Sequence, residues 1–206
     1  MRRNTLQLTV VILLIAVAAL SLWGWSIVSR GFSARDTPSS AEAFIAGRMQ
    51  RIAIPMTARE ARNPLNATPE VLSGAMEHYA DHCAICHAND GTGNTMIGRG
   101  LYPKPPDMTQ PETQALSDGE LYYIIQNGIR LTGMPAFGEE SDGTGSAESW
   151  ALVTFIRHLP QISADELAAM KKMNPKSPAE LEKEERIRKY LAGEEEKEET
   201  GHKHRH

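Results

Sequence analysis

The chain has 206 residues, a formal charge of −4 and a mean hydropathy of −0.38. Aromatic residues make up 6% and only two cysteines occur, which excludes a multi-disulfide scaffold and argues against a large conventional core. The charge is uneven: +5 over residues 1–63, −8 over 64–160 and −1 over 161–206, so the middle of the chain is a poor surface for nucleic acid.

Leu6 to Val28 is an uncharged, mostly apolar run of 23 residues. As a helix it is about 34 Å long, enough to cross a hydrocarbon core of about 30 Å. Arg2 and Arg3 precede it, and Trp23 and Trp25 lie near its far end, where an aromatic belt belongs. Ala16-Val17-Ala18 has the small-x-small form of a signal-peptidase site. The apolar run continues ten residues past it, which favours an uncleaved anchor over a signal peptide.

Residues 29–67 read as a stalk. Gly31, Asp36-Thr37-Pro38-Ser39-Ser40 and Asn63-Pro64 carry turn chemistry, with a short helix over Ala41 to Arg51 between them. Six arginines from Arg30 to Arg62 can meet anionic lipid or the acidic region that follows; a solvated linker is the plain alternative.

The next helix opens at Thr68, with Pro69 in its first position and Glu70 in its first turn, and runs from Val71 to about His82. It delivers Cys83-Ala84-Ile85-Cys86-His87, the spacing of a c-type haem attachment site. Each thiol can form a thioether with one haem vinyl group, and His87 can then bind the iron from the proximal side. A zinc site would need further thiol or imidazole ligands at suitable spacing, and a thioredoxin-like pair would need a strand before it. With no other cysteine, the motif implies one covalent haem c, whose porphyrin also supplies apolar core. Such attachment takes place outside the cytoplasm. That orients the anchor as a single pass through the inner membrane, with the haem on the periplasmic side.

Beyond His87, Gly91-Thr92-Gly93 and Gly98-Arg99-Gly100 form a loop, and Pro103, Pro105 and Pro106 stiffen an extended stretch. Ser117-Asp118-Gly119-Glu120 is a capping box opening a helix that Gly128 ends. The sixth iron ligand is expected from Met134 in Gly133-Met134-Pro135, where glycine and proline restrain the loop on both sides. Met96 and Met108 stand in less constrained loops, and His158 reads as a surface or capping residue. A further helix, opening near Ser146, runs from Glu148 to about His158 before Pro160.

Residues 161–206 read as a charged extension. Ser163 and Ser177 open two more capping boxes, the second leading into a helix to about Leu191 with Glu184–Arg188 and Glu185–Lys189 pairs. Glu194 to Glu199 and the terminal His202, His204 and His206 read as a disordered tail with free surface histidines, metal binding being the alternative.

Residues 68–160 resemble the class I c-type cytochromes, small bacterial proteins with Cys-x-x-Cys-His early and Met-Pro near the middle. The resemblance implies an all-α cytochrome c fold wrapped round one covalent haem, here preceded by a single transmembrane helix (1–28) and a stalk (29–67), and followed by the charged extension (161–206). It also implies that Tyr79 on the first helix crosses Phe155 on the last, with Ala75 where a glycine often stands. A proline carbonyl (Pro103, Pro105 or Pro106) is expected to orient His87, and Arg99, Tyr102 and Trp150 are candidate haem propionate contacts.

The resulting expectation is a membrane-anchored electron carrier rather than an enzyme, passing single electrons between membrane-bound or periplasmic redox proteins. Its acidic surface calls for a basic partner patch and salt-sensitive rates. A fixed haem-bearing subunit of a respiratory or dehydrogenase complex is the alternative. A haem enzyme or gas sensor would need an open sixth position, and the cysteine count excludes a dihaem peroxidase.

Overall fold

A computed structural model describes residues 2–31, 33–138 and 147–192. Among them every regular element is helical. Helix α1 (Arg2–Arg30) includes one apolar stretch, Thr5–Ser29, long enough to cross a membrane, within a residue of the expected span. Helix α2 (Ser40–Ala53) follows, capped by Ser39, whose hydroxyl accepts from the Glu42 N–H. A short helix α3 (Met56–Glu60) comes next.

Helix α4 (Pro69–His78) starts as expected, the Thr68 hydroxyl accepting from Val71 N–H. It does not continue as a plain α-helix to His82. Residues Tyr79–Cys83 form one π-helical turn, in which the Ala84 N–H bonds the Tyr79 carbonyl, and α5 (Ala84–His87) completes the run. The wider turn carries one extra residue. Ala84 rather than Cys83 therefore extends the row of Ala75, Met76, Tyr79 and Ala80 into the core, leaving Cys83 half-buried at its rim.

The core forms where α4 crosses α8 (Ala147–His158). Tyr79 and Phe155 meet with ring centroids 4.8 Å apart and planes 58° apart, as the resemblance implied. Ala75 lies in the same buried layer, and Leu152, Val153 and Ile156 fill the rest of the α8 face. Helix α7 (Asp118–Asn127) packs on α8 and inserts Leu121 and Ile125. Its capping box is formed, with Ser117 Oγ accepting from Glu120 N–H and Glu120 accepting from Ser117 N–H.

Arg157 ties these parts together. Its guanidinium donates to the Asp118 carboxylate (2.9 Å), to the Gln114 carbonyl at the end of α6 (Pro111–Gln114; 2.8 Å) and to the Leu116 carbonyl. One fork thus satisfies carbonyls left open where α6 ends and holds the acid in the first turn of α7.

Two regions read from the sequence as peripheral enter this packing. Part of the stalk docks: the Ser117 hydroxyl donates to the Arg59 carbonyl (2.8 Å), and a Cβ on Gly119 would stand 1.8 Å from the Ala58 oxygen. The Asn63 amide donates to the Trp150 carbonyl (2.9 Å) and to the Thr154 hydroxyl (3.0 Å). In the extension, α9 (Ala164–Met173) packs on α4 and on the π turn, with Met170 0% exposed. Helix α10 (Pro178–Leu191) buries nothing. There Lys189 pairs with Glu185 (3.1 Å) as expected, but Glu184 pairs with Lys176 (2.8 Å) and Arg188 approaches Glu185 (4.0 Å). The Ser146 helix start, Glu194 to Glu199 and the terminal histidines lie outside the described residues.

Met170 makes the role of α9 measurable. Truncating a fully buried methionine removes apolar contact and opens a cavity. Met170→Ala is expected to lower unfolding free energy by about 2–4 kcal/mol in denaturant titration. A loss below about 0.5 kcal/mol, the range of neutral surface changes, would mean that α9 stabilises nothing.

Candidate haem site

The candidate attachment residues sit at the end of the α4, π-turn and α5 run. Cys83 and Cys86 are free thiols, both half-buried, and the intervening Ile85 points outward. Burial pushes the Cys83 thiol up to about 12, with the neighbouring Cys86 adding to it, and burial also raises Cys86. Both are thus protonated thiols at neutral pH, not the thiolates that a reactive redox pair presents. Burial lowers the His87 pKa, so its imidazole is neutral, the form that binds metal.

The loop after His87 folds back on the motif. Gly93 N–H donates to the His87 carbonyl (2.8 Å), and Thr95 Oγ1 donates to the Cys86 carbonyl (3.3 Å) while accepting from Gly98 N–H (2.7 Å). The buried Tyr79 hydroxyl donates to the Ala88 carbonyl at 3.0 Å. Its pKa is raised by burial and, to a smaller extent, by Cys83 and Asp90, so it stays a donor. Ala88 itself has φ 62° and ψ 158°, a region nearly reserved for glycine. Asn89 donates to Asn174 Oδ1 (3.0 Å), just beyond α9, so the extension also closes on this loop.

Met134 lies on the loop after α7. Its carbonyl accepts from Ile129 N–H (3.1 Å), and its N–H donates to the Thr132 hydroxyl (3.1 Å). A Cβ on Gly128 would stand within 2.7 Å of the Met134 and Pro135 carbonyl atoms, so the helix-ending glycine also lets this loop approach. Leu101 touches Gly133 from the other side, its Cδ2 2.7 Å from where a Cβ would be. Leu101 follows the Gly98–Gly100 turn that packs on the Cys86 carbonyl. The Met134 loop and the Cys86–His87 segment are therefore joined through one short stretch of chain. Its rivals are placed otherwise. Met96 is 83% exposed, Met108 is buried in the core, and His158 bonds Glu166 at 2.8 Å.

The donor set fits a covalent haem: two thiols three residues apart with a neutral imidazole beside the second. His87 Nδ1 is buried with no hydrogen-bond partner, so the bond expected from a carbonyl of Pro103, Pro105 or Pro106 is not formed here. The Pro105 oxygen instead packs on Gly93, 2.8 Å from where a Cβ would lie. The described residues hold no cluster of three metal-binding side chains and no strand before Cys83, which leaves zinc and thioredoxin-like readings without support. The candidate propionate contacts make these interactions within the protein. Arg99 donates to Asn94 (2.7 Å), Tyr102 to Glu42 (2.5 Å), and the Trp150 ring stacks on Tyr122 with centroids 4.1 Å apart.

Sequence reasoning missed the Tyr79 bond to Ala88, the π turn and the Asn89–Asn174 contact. Only the apolar spacing of Leu167 and Met170 behind the Ser163 cap carried a signal for α9. Nothing local marked the π turn, whose extra residue is absorbed by tertiary packing.

Residues 71–156 match the family model described as cytochrome c oxidase, cbb3-type, subunit III. No curated protein matches the chain. The match indicates a c-type cytochrome domain over these residues, which implies haem c binding and a part in electron transfer.

The strained Ala88 backbone offers a test of the loop geometry. Glycine relieves the Cβ clash there, so Ala88→Gly is expected to raise unfolding free energy by about 1 kcal/mol without changing the visible haem spectrum. A destabilised variant would contradict the positive φ at this position.

Proposed function

We propose that this c-type cytochrome domain carries a single haem and works as a membrane-tethered electron carrier. Cys83 and Cys86 would hold the porphyrin by thioethers, and His87 and Met134 would be the protein ligands of its iron. When bound, haem supplies a one-electron iron couple. Burial keeps His87 neutral, and the Tyr79 to Ala88 bond fixes the chain leaving it. The loop held at Gly128 and Leu101 restrains Met134, so the thioether can close the iron to small ligands and raise its potential. Helix α1 is the anchor, with the cytochrome domain on the periplasmic face of the inner membrane. The observation that carries this reading is the attachment motif at the end of α5, with neutral donors on a locked loop.

A haem assay per chain is expected to give one. Met134→Ala is expected to abolish the red-edge absorption band of thioether-ligated ferric haem and to let carbon monoxide bind the reduced form. An unchanged spectrum would remove Met134 from the ligand set.

The family description favours a second reading, a fixed haem-bearing subunit of a respiratory complex. Solubilisation in mild detergent separates the two. A shuttle is expected to migrate alone; a subunit co-purifies with other redox proteins at fixed stoichiometry.

A further inference from the structure

Helix α2 presents an apolar side that nothing in the protein covers. Ile45, Met49 and Ile52 recur at four and then three residues and fall within about 60° of helical arc. They are 57%, 66% and 79% exposed, and no residue of α2 is buried. Phe44 flanks them, with the Arg48 guanidinium 5.2 Å above its ring. A helix of 14 residues is marginal in water and gains most of its stability by burying such a face.

Position and charge indicate what covers it. Residues Gly31–Ser39 separate α1 from α2, and nine residues reach at most about 32 Å. If α1 crosses a bilayer, α2 cannot leave the neighbourhood of its surface. Arg48 and Arg51 border the apolar stripe on the Phe44 side. The acid of the first turn, Glu42, is bonded by the Tyr102 hydroxyl.

We propose that α2 is an interfacial helix. Ile45, Met49 and Ile52 enter the headgroup–acyl boundary of the leaflet facing the cytochrome domain, and Arg48 and Arg51 meet lipid phosphates. This rests on the reading of α1 as a membrane anchor. It changes the role of the stalk. The Tyr102–Glu42 bond joins the first turn of α2 to the loop beyond the attachment motif, and α3, two residues after α2, docks on α7. A helix lying on the membrane then holds the haem domain in one orientation, rather than leaving it free on a linker.

The test uses the full chain with haem attached, in vesicles of phosphatidylcholine and phosphatidylglycerol. Single cysteines carry nitroxide labels at Ile45, Met49 and Ile52, at Ala43 and Gln50 on the opposite side, and at Leu14 within α1. Both native thiols are consumed by the haem. Labels at 45, 49 and 52 are expected to collide with oxygen several-fold more than with a water-soluble nickel chelate, and labels at 43 and 50 the reverse. If all five α2 labels favour the nickel chelate while Leu14 favours oxygen, the inference fails and the anchor stands. Shielding of 45, 49 and 52 from both reagents means that protein covers the stripe, which also overturns it. A water-exposed Leu14 overturns the anchor, and the inference with it.

Discussion

Tyr79 is the residue on which the rest of the arrangement depends. Its ring packs on Phe155 where α4 crosses α8, and its hydroxyl reaches the Ala88 carbonyl, one residue past the candidate ligand His87. One side chain thus couples the core to the attachment motif. A shift of α4 against α8 would be felt directly at the backbone that carries the imidazole. A buried phenol has to be satisfied, and the partner it finds is the carbonyl of the most strained residue in the loop.

The π turn serves the same end. An α-helix running straight through Cys83 would bring that thiol round under Tyr79. The extra residue sends Ala84 there instead and keeps Cys83 and Cys86 at the rim. Small residues at 75, 80 and 84 allow the close approach, while the bulk needed to fill the layer comes from Tyr79, Phe155 and Met170. With few aromatics in the chain, each of these contacts carries a large share of the packing.

Charge is laid out along the chain in a functional order. The arginine-rich segment follows the apolar helix, and the acidic segment carries Cys83, Cys86 and His87. Arg59 faces Glu120 on α7 at 3.9 Å. The basic segment therefore divides, part turning toward the cytochrome domain and part, on α2, facing outward. Such a division suits a domain kept close to a surface whose lipids are anionic.

The sequence by itself determined the chemistry that is local. Cys83, Cys86 and His87 at their spacing, the apolar run before Ser29, the capping boxes at Ser117, Ser163 and Ser177 and the stop at Gly128 rest on interactions within a few residues, so pattern alone reveals them. The Tyr79–Phe155 crossing was legible only through resemblance. Tertiary structure decided whatever depends on which surfaces meet. Ala58 reaches Gly119 because glycine leaves the room, Asn63 finds the α8 carbonyl, and Met170 closes the core from a short helix in the charged extension. It also left His87 Nδ1 without a proline partner, while the Pro105 carbonyl packs on Gly93. Those outcomes rest on contacts between residues tens of positions apart, and no short window of sequence contains both partners.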